Sequence, residues 1–222
     1  MLLFLDTAVE QQIKYWMDQQ VLDGVTTNPT VLRRSGVADA AEMLPGLAAL
    51  VAPRVLHVEV TAASGSDVVS QGLRFAAMAD NIVVKVPVLT PAGEPCLAEI
   101  AELSRAGVTV NCTACLSFGQ MVLAAKAGAR YVSILVGRIE DEGGDGAAVL
   151  ATCRRWLDLW QLDVKLIAAS LRGPADVQRS MAAGTHCVTV PPAVLAKLAD
   201  HKYARHTVHE FLADAQLVPG AL

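Results

Sequence analysis

Short apolar runs alternate along the whole chain with longer segments in which apolar residues recur at a spacing near 3.6. Short apolar runs are typical of buried strands, and the 3.6-residue spacing is typical of helices. The predicted strands are residues 2–6, 24–28, 55–61, 82–88, 108–113, 131–137, 164–170 and 187–191. The clearest predicted helices between them are residues 97–106, 117–127 and 149–162.

Glycines punctuate this alternation. Gly107, Gly128 and Gly184 each follow a helical segment and precede a strand, where a left-handed helix end is expected. Strands separated by helices run parallel, because the crossover helix returns the chain to the same edge of the sheet. Eight such units in 222 residues predict a small (β/α)₈ TIM barrel of the α/β class.

The alternative architecture is an open, doubly wound sheet. It is disfavoured because no G-x-G-x-x-G follows the first strand and no Pro/Ser-rich linker divides the chain. We therefore expect a single barrel domain over residues 1–222. Residues 203–216 are predicted to form one further amphipathic helix, which would cover the barrel or pack on a neighbouring subunit.

Composition excludes several classes of protein. The chain has 18 basic and 22 acidic residues, so it lacks the broad basic surface of a nucleic-acid-binding protein. Although 53% of the residues are apolar, no uninterrupted run reaches the roughly 18–20 residues of a membrane-spanning helix. The apolar start stops at Asp6 with no basic segment before it, unlike a signal peptide. We expect a soluble, cytoplasmic protein.

The five cysteines fit that expectation, because an odd number without an export signal indicates reduced thiols. Cys112 and Cys115 have C-x-x-C spacing, but neither a second such pair nor a histidine pair completes a metal site. Buried small side chains are the favoured interpretation, and redox or metal chemistry is the alternative.

Polar residues stand within or at the ends of strands that are otherwise apolar. Burying such groups without partners is costly, and barrel enzymes place catalytic groups at the carboxyl ends of their strands. Alternation along a strand also puts Asn111 and Thr113 on one face. The residues concerned are Asp6, Asn28, Glu59, Lys85, Asn111, Thr113 and Ser170. Six strands thus offer a polar group to one common end.

Lys85 is the sharpest of these signals, since the rest of residues 82–88 is apolar. A central parallel strand has no solvated face, and desolvation disfavours the charged form of an amine. The uncharged amine is a nucleophile towards carbonyl groups, so Lys85 is a candidate Schiff-base lysine. The alternatives are a structural ion pair with a carboxylate and a side chain that reaches solvent at the strand end.

A second constellation predicts an anion site. Ser170 and Arg172 follow the seventh strand, and Arg138 follows the sixth. A hydroxyl and guanidinium groups at neighbouring strand ends can hold a phosphate or another oxyanion. Each arginine taken alone is more simply explained as a surface charge.

Together these residues resemble the transaldolase family, most closely its short-chain branch, which includes fructose-6-phosphate aldolase. The resemblance covers nearly the whole chain. The motifs that carry it are Leu5-Asp6-Thr7, Gly24-Val25-Thr26-Thr27-Asn28-Pro29-Thr30, Val58-Glu59-Val60, Val84-Lys85-Val86-Pro87, Asn111-Cys112-Thr113, Ser117-Phe118-Gly119-Gln120, Val136-Gly137-Arg138-Ile139 and Ala168-Ala169-Ser170-Leu171-Arg172. The resemblance implies a Schiff base on Lys85, no metal or organic cofactor, and homo-oligomers, either decamers or pentamers.

The resemblance also implies roles for individual residues. Asp6 would act as the acid/base during carbon–carbon cleavage, and Glu59 with Thr113 would hold a proton-relaying water. The substrate-binding residues would be Asn28 and Asn111 for the hydroxyl groups, Ser133 in the pocket wall, and Arg138, Ser170 and Arg172 for the phosphate. The partner would be a sugar phosphate, with no nucleic acid or membrane involved.

Departures from the family pattern leave the activity open. Glu59 agrees with transaldolases, whereas the aldolase branch has glutamine there. Leu135 and Leu171 replace aromatic residues, which would widen the pocket, and residues 89–95 form a longer loop than expected. The expected function is transfer of a dihydroxyacetone unit from a ketose phosphate to an aldehyde. The alternatives are release of free dihydroxyacetone, a different anionic sugar, and a non-catalytic barrel that binds sugar phosphates.

Overall fold

A computed structural model describes residues 1–63 and 65–218 of the chain. Eight parallel strands, hydrogen-bonded in sequence order, form a closed barrel. They are β1 (Leu2–Asp6), β2 (Gly24–Thr26), β3 (Val55–Glu59), β4 (Ile82–Pro87), β5 (Val110–Cys115), β6 (Tyr131–Leu135), β7 (Lys165–Ala169) and β8 (Cys187–Val190). The pairing of Leu5 in β1 with Val190 in β8 closes the barrel. The predicted (β/α)₈ barrel is confirmed, and the open sheet is wrong.

Helices follow every strand. In the described part of the chain they are α1 (Glu10–Asp18), α2 (Pro29–Arg34), α3 (Ala40–Val51), α4 (Gly65–Ala76), α5 (Leu97–Arg105), α6 (Phe118–Lys126), α7 (Val136–Asp141), α8 (Gly146–Leu159), α9 (Pro174–Ala182), α10 (Pro192–Ala199) and α11 (Lys202–Ala215). Gly107, Gly128 and Gly184 have φ values of 84°, 96° and 82°, which confirms the predicted left-handed helix ends.

Two predicted strands end earlier than their apolar runs. β2 stops at Thr26 because Asn28 accepts a hydrogen bond from the Val31 amide at 2.9 Å and caps α2. Pro29 then occupies the first helical position, where its missing N–H costs nothing. β6 stops at Leu135, and Val136 begins α7. Arg138 therefore stands on a helix that follows the strand directly.

The core has two parts. The larger cluster lies between the barrel and the surrounding helices. The smaller cluster contains alternate residues of the strands, which face the barrel interior, namely Phe4, Val83, Tyr131, Ile167 and Cys187. Continuing the same alternation towards the carboxyl ends of the strands leads to polar residues. The apolar interior thus forms the floor beneath them.

The C-terminal helix α11 confirms the helix expected near residues 203–216. None of its residues is buried, and its apolar side chains Tyr203, Val208, Phe211 and Leu212 are exposed. No helix in the described residues is both long enough and apolar enough to cross a membrane.

Candidate active site

Lys85 lies at the centre of the polar end of the barrel. Its side chain points inward from β4 and is only 6% exposed. The ammonium nitrogen Nζ donates a hydrogen bond to the Thr27 carbonyl oxygen at 2.7 Å and lies 3.1 Å from Glu59 Oε2. Because Glu59 and Lys85 are direct partners in the β3–β4 register, the carboxylate is placed beside the amine.

Asp6 occupies the end of β1, where a chain of hydroxyl groups holds it. Thr26 Oγ1 donates to Asp6 Oδ1 at 2.8 Å. The Thr26 and Thr189 hydroxyls lie 2.5 Å apart, so Thr189 is the donor when Thr26 donates to Asp6. Burial raises the pKa of Asp6, opposed by the Lys85 charge and the Thr26 hydrogen bond. A carboxyl group with a raised pKa is suited to proton transfer.

Asn111 is fixed on both sides of its amide. Ser133 Oγ donates to Asn111 Oδ1 at 2.9 Å, and Asn111 Nδ2 lies 3.1 Å from His57 Nδ1. Asn111 is the direct partner of Lys85 in the β4–β5 register. Thr113, two residues further along β5, is also buried. The structure thus brings these predicted residues to the same end of the barrel as Lys85.

Asn28 has a structural role in addition to the predicted one. Its Oδ1 accepts the hydrogen bond that caps α2. The cap follows directly from the turn that carries Thr27, whose carbonyl oxygen accepts a hydrogen bond from Lys85. The same turn is held by the Thr27 amide and hydroxyl, which both donate to the His57 carbonyl at 2.9 Å.

The two predicted arginines meet at one carboxylate. Arg172 donates from both terminal nitrogens to the two oxygens of Asp141, and Arg138 Nη1 lies 3.8 Å from Asp141 Oδ2. The hydrogen bonds from Arg172 lower the pKa of Asp141. Ser170, with φ of 61°, makes the turn that leads to Arg172. The cluster is exposed, as an anion site at a barrel mouth requires.

Gly137 explains how β6 and β7 approach each other there. A Cβ atom at this position would lie 2.3 Å from the Ser170 carbonyl oxygen and 3.0 Å from Arg172 Nε. Only glycine permits this contact without a shift of the backbone. The contact places the start of α7, which carries Arg138, against the turn that carries Arg172.

Sequence reasoning missed several partners of the predicted residues. Thr189 and Asp141 gave no signal of their own, since a threonine in a strand and an aspartate in a charged helix are ordinary. Thr26 and Thr27 stood in a motif that was noted, but only folding shows which atoms they contribute. His57 was placed on the same face as Glu59, without a role.

The cysteines lie outside this constellation. All five are unpaired and buried. Cys112 and Cys115 have their sulfur atoms 3.7 Å apart, and the hydrogen bond between them and burial raise the pKa of the Cys112 thiol. Among the described residues, no group of three histidine, cysteine or acidic side chains gathers closely enough to hold a metal ion.

Two cavities lie near the barrel ends. One, of about 540 Å³, is at the amino-terminal end and is lined by Asp80, Arg130, Tyr131 and Asp163, away from Lys85. The other, of about 340 Å³, lies at the carboxyl ends of β3 and β4, between Thr61 and Pro87 and the loop that follows β4. That loop is tied by an antiparallel bridge between Leu89 and Pro95.

Comparison with known proteins agrees with the geometry. Residues 3–218 match the family described as Transaldolase/Fructose-6-phosphate aldolase. The chain is 37% identical over 211 residues to a "Probable transaldolase" of Lactiplantibacillus plantarum, covering 95% of this chain and 94% of that protein. It is 36% identical over 214 residues to one from Phenylobacterium zucineum, covering 96% of each. It is 34% identical over 227 residues to one from Herpetosiphon aurantiacus, covering 100% of this chain and 97% of that protein. The chain therefore belongs to the transaldolase/fructose-6-phosphate aldolase family.

Proposed function

We propose that this enzyme is a Schiff-base transaldolase, which moves a three-carbon dihydroxyacetone unit from a ketose phosphate to an aldehyde. The observation that carries the proposal is the buried Lys85 amine with the Glu59 carboxylate at 3.1 Å. An ion pair kept only for structure needs no further polar groups around it. Here Asp6, Asn111, Thr113 and Ser133 converge on the same end of the barrel, each buried or mostly buried.

The first step is attack of the amine on the ketose carbonyl. Glu59 is the carboxylate in contact with Lys85, so it accepts the ammonium proton and frees the lone pair. The carbon–nitrogen bond forms, the carbonyl oxygen takes up a proton, and loss of water leaves a protonated imine. Glu59 and Thr113 border the position where this water would relay protons.

The imine then acts as an electron sink for cleavage. Asp6 removes the proton of the C4 hydroxyl, the C3–C4 bond breaks, and its electrons pass to the imine as an enamine. The first aldehyde departs. The raised pKa of Asp6 suits both this proton removal and the return of the proton when the enamine attacks the acceptor.

Asn28, Asn111 and Ser133 would hold the hydroxyl groups of the dihydroxyacetone unit. Arg138, Arg172 and the Ser170 turn would take the phosphate, because two guanidinium groups already stand together there. Glu59 favours the transferase over an aldolase that releases dihydroxyacetone, since the aldolase branch has glutamine at this position. A wider pocket for another anionic sugar is a second candidate, since the half-buried Leu135 at the end of β6 carries no ring.

We also propose that the protein is a homo-oligomer, a pentamer or decamer, and that residues 1–222 form one barrel domain. The support is α11, whose apolar side chains Tyr203, Phe211 and Leu212 remain exposed on the single chain. Covering them with a neighbouring subunit would remove this apolar surface from water. Light scattering of the purified chain measures the number of subunits.

Reduction of the imine tests the proposal. The enzyme is treated with fructose 6-phosphate and borohydride, and peptide mass spectrometry should locate a dihydroxyacetone or hexose adduct on Lys85. Lys85→Met should give no adduct, whereas Lys14→Met, which removes an exposed lysine, should behave as wild type. Unmodified wild-type Lys85 would contradict the proposal. Omitting the aldehyde acceptor separates transfer from aldol cleavage, because a transferase turns over only when the acceptor is present.

A non-catalytic sugar-phosphate-binding barrel is tested by calorimetry with the same ligand. That protein would bind fructose 6-phosphate, exchange no carbon, and keep its affinity in Lys85→Met.

A further inference from the structure

His57 is the one imidazole that the barrel interior encloses completely among the described residues, and the proposed chemistry does not use it. It lies on β3 two residues before Glu59, on the same face and one step deeper in the barrel. Its ring packs against two aromatic rings of the barrel floor, with centroid distances of 5.0 Å to Phe4 and 4.9 Å to Tyr131. An apolar side chain would fill this place at lower cost, so the imidazole calls for an explanation.

The polar contact of the ring is with Asn111. An amide nitrogen has only protons to offer, so in the 3.1 Å contact Asn111 Nδ2 donates and His57 Nδ1 accepts. The neutral ring then carries its proton on Nε2, which has no hydrogen-bond partner in the described part of the chain. On the other side of the amide, Ser133 donates to Asn111 Oδ1.

We infer that His57 is a positioning residue, which determines which edge of the Asn111 amide faces the substrate. This inference rests on the proposed role of Asn111 in holding the dihydroxyacetone unit. The two ends of an asparagine amide have nearly the same shape and opposite hydrogen-bonding character. A hydroxyl alone cannot choose between them, because Ser133 can donate to the oxygen or accept from the nitrogen.

A neutral imidazole with an unprotonated Nδ1 breaks this symmetry. It accepts from the amide nitrogen and offers nothing to the amide oxygen, so the Ser133 proton goes to Oδ1. One N–H and one oxygen lone pair of Asn111 then remain for the substrate in a fixed order. Burial, together with the Lys85 charge, lowers the pKa of His57 to about 3, so the ring stays an acceptor under ordinary conditions.

The backbone supports the same arrangement. The His57 carbonyl accepts hydrogen bonds from both the amide and the hydroxyl of Thr27, and the Thr27 carbonyl in turn accepts from Lys85. His57 is thus anchored to the segment that also anchors the nucleophile. A shift of the ring would be felt at both Asn111 and Lys85.

A double-mutant cycle tests the inference. His57→Leu removes the acceptor with a side chain of similar size, and kcat/KM for the ketose phosphate should fall about tenfold, the usual scale for one lost hydrogen bond. In an Asn111→Ala background the same substitution should change kcat/KM by less than about twofold, because the group it orients is gone. His57→Asn, which brings an amide oxygen near the Nδ1 position, should recover most of the loss.

Losses that multiply in the double variant would overturn the inference and indicate general damage to the barrel. Equal losses in His57→Leu and His57→Asn would overturn it as well. A second measurement needs no activity. Nitrogen-15 NMR of histidine-labelled enzyme, with the His57 signal identified by its absence from His57→Asn, should show a protonated Nε2 and an unprotonated Nδ1; the opposite tautomer would overturn the inference.

The borohydride reaction separates this inference from the proposed function. If wild-type Lys85 forms the adduct and His57→Leu has wild-type kinetics, only the role of His57 is wrong. If wild-type Lys85 forms no adduct, the proposed function itself is wrong.

Discussion

The carboxylate of Glu59 lies 3.1 Å from the ammonium group of Lys85, and the two residues face each other across adjacent strands of the barrel. The pair is largely removed from water, since the side chains are 19% and 8% exposed. A charge pair in such a place costs desolvation free energy that a pair of apolar residues would not. Its position at the polar end of the barrel is consistent with a proton-transfer role.

Glu59→Gln should slow formation of the Lys85 adduct by about 10²- to 10⁴-fold, because the amide keeps the shape but accepts no proton. The measurement is the rate at which borohydride-trapped adduct appears. Glu10→Gln is a matched control, since Glu10 also lies 3.1 Å from a lysine, Lys14, but on the surface. Adduct formation at the wild-type rate in Glu59→Gln would exclude Glu59 as the proton acceptor.

Asp6→Asn should reduce turnover by a similar factor of about 10²- to 10⁴-fold while leaving the first adduct in place. Asp6 must be ionised to take the C4 hydroxyl proton, so wild-type kcat should fall as the pH drops through its raised pKa. The acidic limb of the kcat profile should therefore lie above the ordinary aspartate value. A limb at the ordinary value would argue against Asp6.

The same substitution should affect stability in a defined direction. A carboxyl group whose pKa is raised on folding stabilises the protein only when protonated, and this contribution is lost as the pH rises through the folded-state pKa. Asp6→Asn should therefore raise the free energy of unfolding at neutral pH more than in acid, measured by urea denaturation. Asp18→Asn, at an exposed site in α1, serves as the control.

Acid should weaken the fold through His57. Its pKa drops from 6.5 to about 3 on folding, so below pH 6.5 the unfolded chain binds a proton that the native protein does not. The free energy of unfolding should fall by up to about 1.4 kcal/mol for each pH unit of acidification across this window. His57→Leu should show a flatter pH dependence, whereas His209→Leu, at an exposed site, should not. Parallel curves for all three proteins would contradict the prediction.

Arg172→Met should raise KM for fructose 6-phosphate by at least about tenfold and leave KM for unphosphorylated fructose nearly unchanged, because only the phosphate contact is lost. Asp141→Asn should act in the opposite direction. Its carboxylate occupies both terminal nitrogens of Arg172, so its removal should strengthen inhibition by inorganic phosphate. Weaker inhibition would mean that Asp141 orders the arginines rather than competing for them.

Gly137→Ala should destabilise the protein by about 1–3 kcal/mol, because the new methyl group collides with the Ser170 carbonyl oxygen and forces β6 and β7 apart. It should also raise KM for the ketose phosphate by displacing Arg172. Gly46→Ala is the control, because nothing lies within 4 Å of a Cβ there and alanine should stabilise α3 by roughly 0.5–1 kcal/mol. Equal stability of the two variants would contradict the close approach.

The sequence by itself determined the architecture and most of the candidate site. Eight apolar runs separated by helices and glycine ends leave few arrangements other than a parallel barrel, and a lysine inside an apolar strand has few explanations. Lys85, Glu59 and Asn111 were found this way because strand alternation places them without knowledge of the contacts. The boundaries near residues 24–28 and 131–137 were less accurate, since Asn28 and Val136 begin helices that apolar content alone does not reveal.

Only the tertiary structure decided which atoms meet. The closed barrel brings Thr189 to Thr26 across 163 positions of sequence, and it joins Arg138 and Arg172 through Asp141. It also turns His57 from an ordinary strand residue into the partner of Asn111. Hydrogen bonds depend on distances of a few tenths of an ångström between strands far apart in sequence. Periodicity sets the face on which a side chain lies, but only the register between strands sets its neighbour.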